Sequence, residues 1–365
     1  MKILILSCNT GQGHNAAGKA VLEELIRQGT DCLMMDALSL VGETTSRRVS
    51  GAYCGLTTHF PQGFQWLYRA GGALSSARCK SPVYLVNLSY AGRLKQFIEE
   101  NGYDTVITPH LFPAEALTHL RRKEGLKVRC YAVATDYTCI PFWEETELDR
   151  YFIPHEDLME EFVARGIARE KLIPTGIPVS ERFNRRLLQS KARSRLGLPQ
   201  DEMLYLVMTG SMGFGNTADL TGSLLALPGT VCVLGGNNEK MKASLRSRFG
   251  RESRVRVLDF TDQVALYMDA CDMLFTKPGG LTSTEAAVKN VPLIHTAPIP
   301  GCETINARFF SERGISLCAA SPEEAVQAAK QLMDPTRREA MRQAQQRVIN
   351  PMAARDICEI VLSGG

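Results

Sequence analysis

The chain has 365 residues, of which 44% are hydrophobic and 22% charged, with 42 Lys and Arg against 39 Asp and Glu. The length predicts two domains of ordinary size, and the composition excludes an intrinsically disordered protein. The net charge of +3 gives no overall basic field, so nucleic acid is not expected as a partner. No apolar run reaches the length of about 18 residues that a transmembrane helix needs.

The N-terminal segment and the cysteines favour a cytoplasmic protein. MKILILSC holds only four consecutive strongly apolar residues, too few for the core of a signal peptide. The eleven cysteines contain no CxxC pair, which argues against structural zinc and thioredoxin chemistry. We therefore expect buried, reduced thiols.

Strands and helices alternate through the first half of the chain. The sequence predicts strands at residues 3–6, 31–35, 105–108, 129–134 and 150–153. Helical patterns lie between and after them, as at residues 113–123 and 156–164. This alternation is typical of a parallel sheet with helices on both faces.

The alternation pauses at residues 174–200, which contain three prolines and the basic run RFNRR and are interpreted as a linker. It resumes with predicted strands at residues 203–208, 231–234, 255–258, 273–276, 293–296 and 315–318. Helices broken at Pro335 and Pro351 are predicted for residues 321–363.

Two domains follow from these two runs of alternation. We predict an α/β protein with Rossmann-like, doubly wound domains at residues 1–180 and 181–345, facing a central cleft. Residues 346–365 are predicted to form a C-terminal helix that packs back toward the first domain.

The segment 41–97 fits this plan poorly, because it is basic and rich in aromatic side chains. Against one acid, Glu43, it carries Arg47, Arg48, Arg69, Arg78, Lys80, Arg93 and Lys95. Cations attract anionic headgroups and aromatic rings lie at the lipid boundary, so the segment is interpreted as a membrane-binding surface. The alternative is a helical insertion whose aromatic side chains fill its own core.

A glycine-rich turn, GQGHNA at residues 11–16, follows the first predicted strand. Such a turn binds phosphate, because it combines free N–H groups with the positive end of a helix dipole. It matches the dinucleotide pattern GxGxxA, and Asp36 ends the second strand where a ribose-binding acid would lie, so an NAD-dependent oxidoreductase is one alternative. His14 favours another function, because its imidazole could orient or deprotonate a hydroxyl at a cleft.

TKPGGLTSTEAA, residues 276–287, is a second turn of this kind. A strand leads into Gly279 and Gly280, after which three hydroxyl residues open a helix, and this combination favours a diphosphate. Glu285, one turn into the helix, could accept hydrogen bonds from both hydroxyls of a ribose. The alternative for Thr282 and Glu285, three residues apart, is a capping box. No GK[ST] sequence follows, which argues against a P-loop ATPase.

MTGSMGFGN, residues 208–216, is a third glycine-rich turn and lies in the same predicted domain as TKPGG. The carboxyl ends of parallel strands share one edge of a sheet, so the two turns are expected to converge on one anionic ligand. The pair indicates a nucleotide diphosphate.

Three further patterns supply polar side chains for a cleft. IPGCETIN places Glu303 and Asn306 three residues apart at a helix start, where they could bond sugar hydroxyls or cap the helix. TDYTCIPFW puts Asp136 after a buried strand, where its carboxylate could accept a proton from an alcohol or cap a loop. His110, in ITPHLFPAE, ends the neighbouring strand and is expected to point at the same cleft.

Together these motifs resemble the monogalactosyldiacylglycerol synthase and processive diacylglycerol glucosyltransferase family, part of glycosyltransferase family 28 with the GT-B fold. The resemblance runs from residue 3 to about 314 and rests on GQGH, ITPHLFPA, TDYTCIPFWEETELDRYFIP, LIPTGIPVSERF, VLGGNNEKMK, TKPGGLTSTEA and IPGCETIN. The second domain is more distantly similar to the lipid II N-acetylglucosaminyltransferase of peptidoglycan synthesis. Gln12 stands where the family usually has glycine, and Ile140 where it often has histidine.

The resemblance implies inverting transfer of a hexose from a UDP-sugar, bound by the C-terminal domain, to the hydroxyl of a diacylglycerol-type lipid. By this resemblance UDP is bound by Gly279, Gly280, Thr282 and Glu285, with Glu303 and Asn306 near the diphosphate or the sugar. From the two glycine-rich turns themselves, Gly210, Ser211, Met212 and Lys277 are predicted to bind the donor as well. Acceptor-side catalytic roles, including that of the base, are implied for His14 and Asp136, with His110 as a further candidate.

The resemblance also bears on partners. It implies no metal and no cofactor besides the UDP-sugar donor, and it places residues 41–97 on the inner, cytoplasmic face of the membrane. A UDP-sugar epimerase or hydrolase on the same scaffold is an alternative that would need no lipid. The NAD-dependent oxidoreductase is the other alternative.

Overall fold

The computed structural model of the chain describes residues 1–9, 12–42, 81–208, 217–298 and 300–364. The chain forms two compact units. The first comprises Met1–Glu181, Pro300–Cys302 and Pro351–Gly365, and the second comprises Arg182–Ile299 and Glu303–Asn350.

The described helices follow the predicted alternation. In chain order they are α1 (Gln12–Arg27), α2 (Pro82–Asn87), α3 (Ala91–Glu100), α4 (Leu111–Lys123), α5 (Met159–Ala164), α6 (Glu181–Asn184), α7 (Gln189–Leu196), α8 (Thr217–Leu224), α9 (Glu239–Phe249), α10 (Val264–Ala270), α11 (Gly280–Val288), α12 (Cys302–Glu312), α13 (Pro322–Leu332), α14 (Pro335–Val348) and α15 (Ala353–Ser363). Short 3-10 turns lie at Ala37–Val41, Leu88–Tyr90, Trp143–Glu145, Glu156–Leu158 and Arg169–Lys171.

The first unit is built on a six-stranded sheet in which all neighbouring strands are parallel. Its strands are β1 (Lys2–Ser7), β2 (Asp31–Asp36), β3 (Thr105–Thr108), β4 (Arg129–Val133), β5 (Arg150–Ile153) and β6 (Leu172–Pro174). The order is β2-β1-β3-β4-β5-β6. It reverses between β1 and β3, and at such a point parallel α/β sheets bind ligands beyond the carboxyl ends of their strands.

The second unit repeats this plan with a different strand order. Its strands are β7 (Leu204–Met208), β8 (Thr230–Leu234), β9 (Val255–Leu258), β10 (Met273–Thr276), β11 (Leu293–Thr296) and β12 (Leu317–Ala319). The order is β12-β11-β10-β7-β8-β9, again with every neighbouring pair parallel. The reversal falls between β7 and β10, the two strands that precede the MTGSMGFGN and TKPGG turns.

The C-terminal helix belongs to the first unit. α15 packs along α1, and its residues Ile357, Cys358 and Val361 are fully buried. The Cys358 thiol donates to the carbonyl of Val21, with 3.7 Å between Sγ and O. The three buried positions recur at helical spacing and form one apolar face, so packing rather than helix propensity fixes this segment.

The boundary between the two units, after Glu181, falls within residues 174–200, as the interpretation of this stretch as a linker predicts, but much of the stretch is helical and packed. This stretch contains α6 and α7, and α7 packs on α10. Buried Arg193 of α7 donates from Nε to the carbonyl of Ala270 at 2.9 Å and from Nη2 to Asp272 at 2.7 Å. A basic, proline-rich stretch predicts a solvated segment, but here the arginine finds its partners in the core of the second unit.

The nine cysteines among the described residues are free thiols. Six are buried, as expected, and burial raises the pKa of both Cys130 and Cys358 to about 12. Cys32 and Cys302 are half-buried and Cys318 is exposed, so the expectation of burial is wrong for these three.

Candidate functional site

Side chains from three adjacent strands of the first sheet meet at the carboxyl ends of those strands. His14 lies in the first turn of α1, which follows β1, and His110 directly precedes α4, which follows β3. Thr135 and Asp136 come just after β4. The structure therefore brings together His14, His110 and Asp136, the three residues predicted for catalysis, whose roles in a reaction remain predictions.

His14 is held mainly through one ring nitrogen. Its Nδ1 lies 2.9 Å from the carbonyl oxygen of Pro109 and 2.9 Å from Oγ1 of Thr135. Its ring meets the ring of His110 edge-on, with 4.6 Å between the centroids. Contacts from three directions thus fix the orientation of the imidazole.

The pKa of His14 reflects opposing influences. Burial is the largest and lowers the pKa, whereas the Asp136 carboxylate and the Pro109 carbonyl raise it. The net direction is downward, so the ring is neutral at neutral pH and is able to take a proton. A neutral imidazole beside a half-buried carboxylate is suited to deprotonate an alcohol, because the carboxylate stabilises the imidazolium that forms.

His110 has a structural task beside this ring. Its Nδ1 accepts a hydrogen bond from the backbone N–H of Phe112 at 3.1 Å and so caps α4. Burial, and the neighbouring His14, hold the pKa of His110 well below its usual value. His110 is therefore a neutral cap that packs against His14, and a direct part in the reaction stays a prediction.

An acid distant in the sequence holds the loop that follows Asp136. Glu161 of α5 accepts hydrogen bonds from Oγ1 of Thr138 at 2.5 Å and from the N–H of Cys139 at 3.0 Å. Phe142 has φ 80°, a left-handed conformation that a bulky residue adopts only when its surroundings impose it. No pattern in the sequence indicated Glu161, because it lies 22 or 23 residues from its partners.

Asp36, the acid of the NAD alternative, is occupied by local structure. Its Oδ1 accepts from the N–H of Leu38 at 3.0 Å and caps a 3-10 turn. Its Oδ2 accepts from Nδ2 of Asn9 at 2.9 Å. Both oxygens already have protein donors, and this weakens the reading of Asp36 as an acceptor for ribose hydroxyls.

In the second unit, the N-cap residue of α11 is Gly279. Glycine has no side chain, so the cap residue itself cannot satisfy the first N–H groups of the helix. The capping-box alternative for Thr282 and Glu285 is wrong, because the helix has already begun at Gly280. Such a helix N-terminus after a strand is suited to an anion.

Lys277 and Asn306 shape the turn that precedes α11. Nζ of Lys277 lies 2.6 Å from Oε1 of Glu303, which is in the first turn of α12. Nδ2 of Asn306 donates to the carbonyl of Pro278 at 3.1 Å, and Asn306 is fully buried. Asn306 thus supports the backbone of the turn, and the predicted contacts of Asn306 and Glu303 with a ligand remain predictions.

Glu285 is almost entirely buried in the second turn of α11, and Thr282 is half-buried one turn earlier. Burial raises the pKa of Glu285 to about 8, with Arg182 acting in the opposite direction. The side chain is therefore protonated at neutral pH. A buried carboxyl with a pKa this far above its usual value marks a candidate binding position.

Replacing Gly279 with alanine is expected to separate ligand binding from folding. Gly279 has φ −70°, and a Cβ built there has nothing within 4 Å among the described residues. We expect the melting temperature to fall by no more than about 4 °C, from a weaker N-cap. If a diphosphate occupies that space, the Kd for UDP rises by about tenfold, measured by calorimetry. Gly92→Ala, also open to solvent in α3, is the control and leaves the Kd unchanged.

Some predicted residues lie outside the described ranges. Gly210, Ser211 and Met212 belong to this group, with the rest of residues 209–216. The turn before His14 is also incomplete, since residues 10 and 11 are not described.

Most of the basic, aromatic segment, residues 43–80, is likewise outside the described ranges. In the described remainder Tyr84 is buried, whereas Leu85 and Val86 are 60% and 64% exposed. Among the described helices none is long and apolar enough to span a bilayer. Within the same ranges, no group of three or more His, Cys, Asp or Glu is placed to hold a metal ion.

A pocket of about 470 Å³ in the second unit lies at the other edge of the sheet. Its lining includes Arg186, Asp269, Lys289 and Arg342. Residues 291 and 292, which precede β11, also line it, so it opens near the amino ends of the strands. This pocket is not the candidate diphosphate site at the N-terminus of α11.

Comparison with known proteins bears on the family and the fold of the chain. Residues 14–179 match the family model of monogalactosyldiacylglycerol (MGDG) synthase. Over 99% of its length the chain is 25% identical to the processive diacylglycerol beta-glucosyltransferase of Bacillus cytotoxicus, of which the match covers 93%. The predicted resemblance to this family is confirmed.

Solved structures share the fold at low sequence identity. MurG of Acinetobacter baumannii superposes with a TM-score of 0.64 at 15% identity, covering 99% of both chains. The UDP-GlcNAc 2-epimerase of Neisseria meningitidis, bound to UDP-GlcNAc, gives a TM-score of 0.64 at 14% identity, covering 100% of both. The two parallel sheets and these likenesses confirm the predicted α/β architecture of the GT-B type.

Proposed function

We infer that the chain belongs to the monogalactosyldiacylglycerol synthase and processive diacylglycerol glucosyltransferase family, and that it transfers a hexose, with inversion, from a UDP-sugar to the hydroxyl of a diacylglycerol-type lipid. This function rests on one observation: at the carboxyl ends of its strands, each sheet holds the groups that one of the two substrates needs. The first sheet gathers the neutral His14 ring and the Asp136 carboxylate, which suit an acceptor alcohol. The second presents the N-terminus of α11, whose cap residue is Gly279, beside Lys277, and this combination suits a diphosphate.

The second unit would bind the donor. The first N–H groups of α11 and the ammonium of Lys277 face an anion in this proposal, and Glu303 orients that ammonium through its 2.6 Å ion pair. Thr282 and Glu285 contact the nucleoside, with Glu285 accepting from the ribose hydroxyls. When the bond from the anomeric carbon to the diphosphate breaks, the negative charge on the leaving UDP is stabilised by the N–H groups and the helix dipole.

The first unit would supply the base. As the alcohol oxygen forms its bond to the anomeric carbon, the hydroxyl proton passes to His14, and the electron pair of the broken bond leaves with UDP. A single displacement of this kind inverts the anomeric centre. Asp136 stabilises the resulting imidazolium, in keeping with its upward influence on the pKa of His14.

A membrane surface is proposed as the place where the acceptor is met. Residues 41–97 would bring the first unit to anionic lipid on the cytoplasmic side. The excess of basic residues in that segment and the exposed Leu85 and Val86 support this proposal.

The reaction can be tested with mixed substrates. The protein is incubated with several UDP-hexoses and a detergent-dispersed total lipid extract, and the products are analysed by mass spectrometry. We expect a hexosylated diacylglycerol-type lipid and free UDP. UDP-sugar turnover that is the same with and without lipid would instead favour the epimerase or hydrolase alternative. No change in any UDP-hexose would contradict the proposal.

A further inference from the structure

The environment of His14 determines which of its two nitrogens is basic. Nδ1 has two oxygen neighbours at 2.9 Å, the Pro109 carbonyl and the Thr135 hydroxyl. A carbonyl oxygen only accepts hydrogen bonds, whereas a hydroxyl both donates and accepts. The carbonyl is therefore the neighbour that decides the tautomer.

If Nδ1 lacked a proton, its lone pair would face the lone pairs of the Pro109 oxygen at 2.9 Å, which is repulsive. With a proton on Nδ1, the same distance is that of a normal N–H···O hydrogen bond. The Thr135 hydroxyl then turns its oxygen to the same N–H and shares it. The proton of the neutral ring thus lies on Nδ1, and the lone pair lies on Nε2.

The other neighbours of the ring agree with this arrangement. His110 uses its own Nδ1 to accept from Phe112, stays neutral and meets His14 edge-on. Asp136 is the charged group that acts on His14, and it favours the imidazolium. When Nε2 takes a proton, the Nδ1–H bond to Pro109 and Thr135 is already in place and becomes charge-assisted.

From this geometry we propose that Nε2 of His14 is the atom that accepts the proton of the alcohol, and that Thr135 is a positioning residue that stabilises the Nδ1–H form. The assignment of Nε2 as the base in catalysis rests on the proposed function. The tautomer and the part of Thr135 in stabilising it do not, and can be measured without any substrate.

The tautomer is measured by nitrogen NMR on protein labelled with ¹⁵N-histidine. The chain has six histidines, and the His14 signals are assigned as those lost in His14→Gln. We expect Nδ1 to show the protonated, and Nε2 the unprotonated, nitrogen shift in the neutral ring. The reverse pattern overturns the proposal, whether or not the protein transfers a sugar.

The part played by Thr135 is measured by titrating the same signals. Thr135→Val keeps the shape of the side chain and removes one acceptor of the Nδ1–H, so the His14 pKa is expected to fall by about half a unit. Thr135→Ser restores the hydroxyl and the pKa. An unchanged pKa in Thr135→Val overturns the role of Thr135, and purely structural damage would not be repaired by serine.

Enzyme activity gives a second measurement of the interaction between Thr135 and His14. In Thr135→Val we expect kcat to fall by about three- to tenfold with an unchanged KM for the UDP-hexose, and the acid side of the pH profile to move to lower pH. If the wild type showed the expected nitrogen shifts of His14 but no transferase activity, the proposed function would be contradicted and the tautomer assignment would stand. An unchanged kcat in Thr135→Val would contradict the positioning role in catalysis.

Discussion

Raising the pH from 6.5 to 8.5 is expected to tighten the binding of a UDP-hexose by about 25-fold, and Glu285→Gln is expected to abolish this dependence. Burial holds the pKa of Glu285 at about 8, so the free protein carries a protonated carboxyl below that pH. Ribose hydroxyls donate best to a carboxylate, so binding favours the ionised form and releases a proton. Affinity therefore rises as the pH approaches 8 from below and levels off above it.

Calorimetry in two buffers of different protonation enthalpy checks this expectation. At pH 7 the wild type should release close to one proton on binding, whereas Glu285→Gln should release none. At pH 8.5, Glu285→Ala should raise the Kd for the UDP-hexose by about 10- to 150-fold. This corresponds to the loss of about 1.5–3 kcal/mol, the contribution of hydrogen bonds to a charged group. A wild-type affinity that does not change with pH would show that Glu285 does not meet the ligand as a carboxylate.

Two comparisons exclude trivial explanations for the behaviour of Glu285. Glu312→Gln, at the exposed end of α12 in the same unit, should keep the wild-type pH dependence. A buried carboxyl with a raised pKa stabilises the fold when protonated and loses that contribution as the pH rises from 4.5 to about 8. Glu285→Gln stays neutral, so it should be at least as stable as the wild type above pH 8, and weak binding there could not be ascribed to unfolding.

The strands of both sheets could be predicted from the sequence because helices cover both faces of a parallel sheet. Strands buried on both faces are short apolar runs between polar turns, and such runs stand out without any periodicity. The predicted bounds agree with the structure for residues 105–108, 150–153, 255–258, 273–276 and 293–296. The turns that follow such strands also indicate where polar side chains gather, as His14, His110 and Asp136 do.

The features that the sequence did not predict, such as the burial of Arg193, depend on contacts between residues far apart in the chain. Arg193 lies in a polar stretch, and its burial depends on Ala270 and Asp272, 77 and 79 residues away. The same is true of Glu161, which holds the loop beyond Asp136. The start of α11 differs from the prediction for a local reason: Gly279 and Gly280 favour a loop, whereas the helix begins at Gly280, which is buried.

Asn306 has a structural role that its sequence pattern did not predict. Its position three residues after Glu303 suggests a ligand contact, but its amide is bonded to the carbonyl of Pro278. Lys277, in the turn that contains Pro278, is paired with Glu303 of α12. Side chains of α12 therefore hold the conformation of the TKPGG backbone, and a change in that helix would act through the turn on the proposed donor site.

Replacing His14 with glutamine is expected to lower kcat by about 100- to 10,000-fold and to leave the Kd for UDP unchanged. His14 belongs to the first unit, whereas the residues proposed to bind the nucleotide belong to the second, so the loss should fall on chemistry rather than on donor binding. In the wild type saturated with UDP-hexose, kcat/KM for the lipid acceptor should rise with pH up to the pKa of His14 and then level off, because the base works only when unprotonated. Burial places that pKa below the usual value for histidine, so the rise should be complete before neutral pH.

His119→Gln is the matched control, because His119 is a half-buried histidine of α4 in the same unit, with its Nε2 3.6 Å from Oε1 of Glu124. It should retain wild-type kcat and the same pH profile. Calorimetric titration with UDP and initial rates over pH 5–9 measure both quantities for each variant. If His14→Gln kept more than a tenth of the wild-type kcat, the base would have to be another group, and Asp136 would then be the residue to replace. If it lost affinity for UDP in parallel with kcat, the division of labour between the two units would be wrong, since a pure base contributes nothing to the binding of the leaving group.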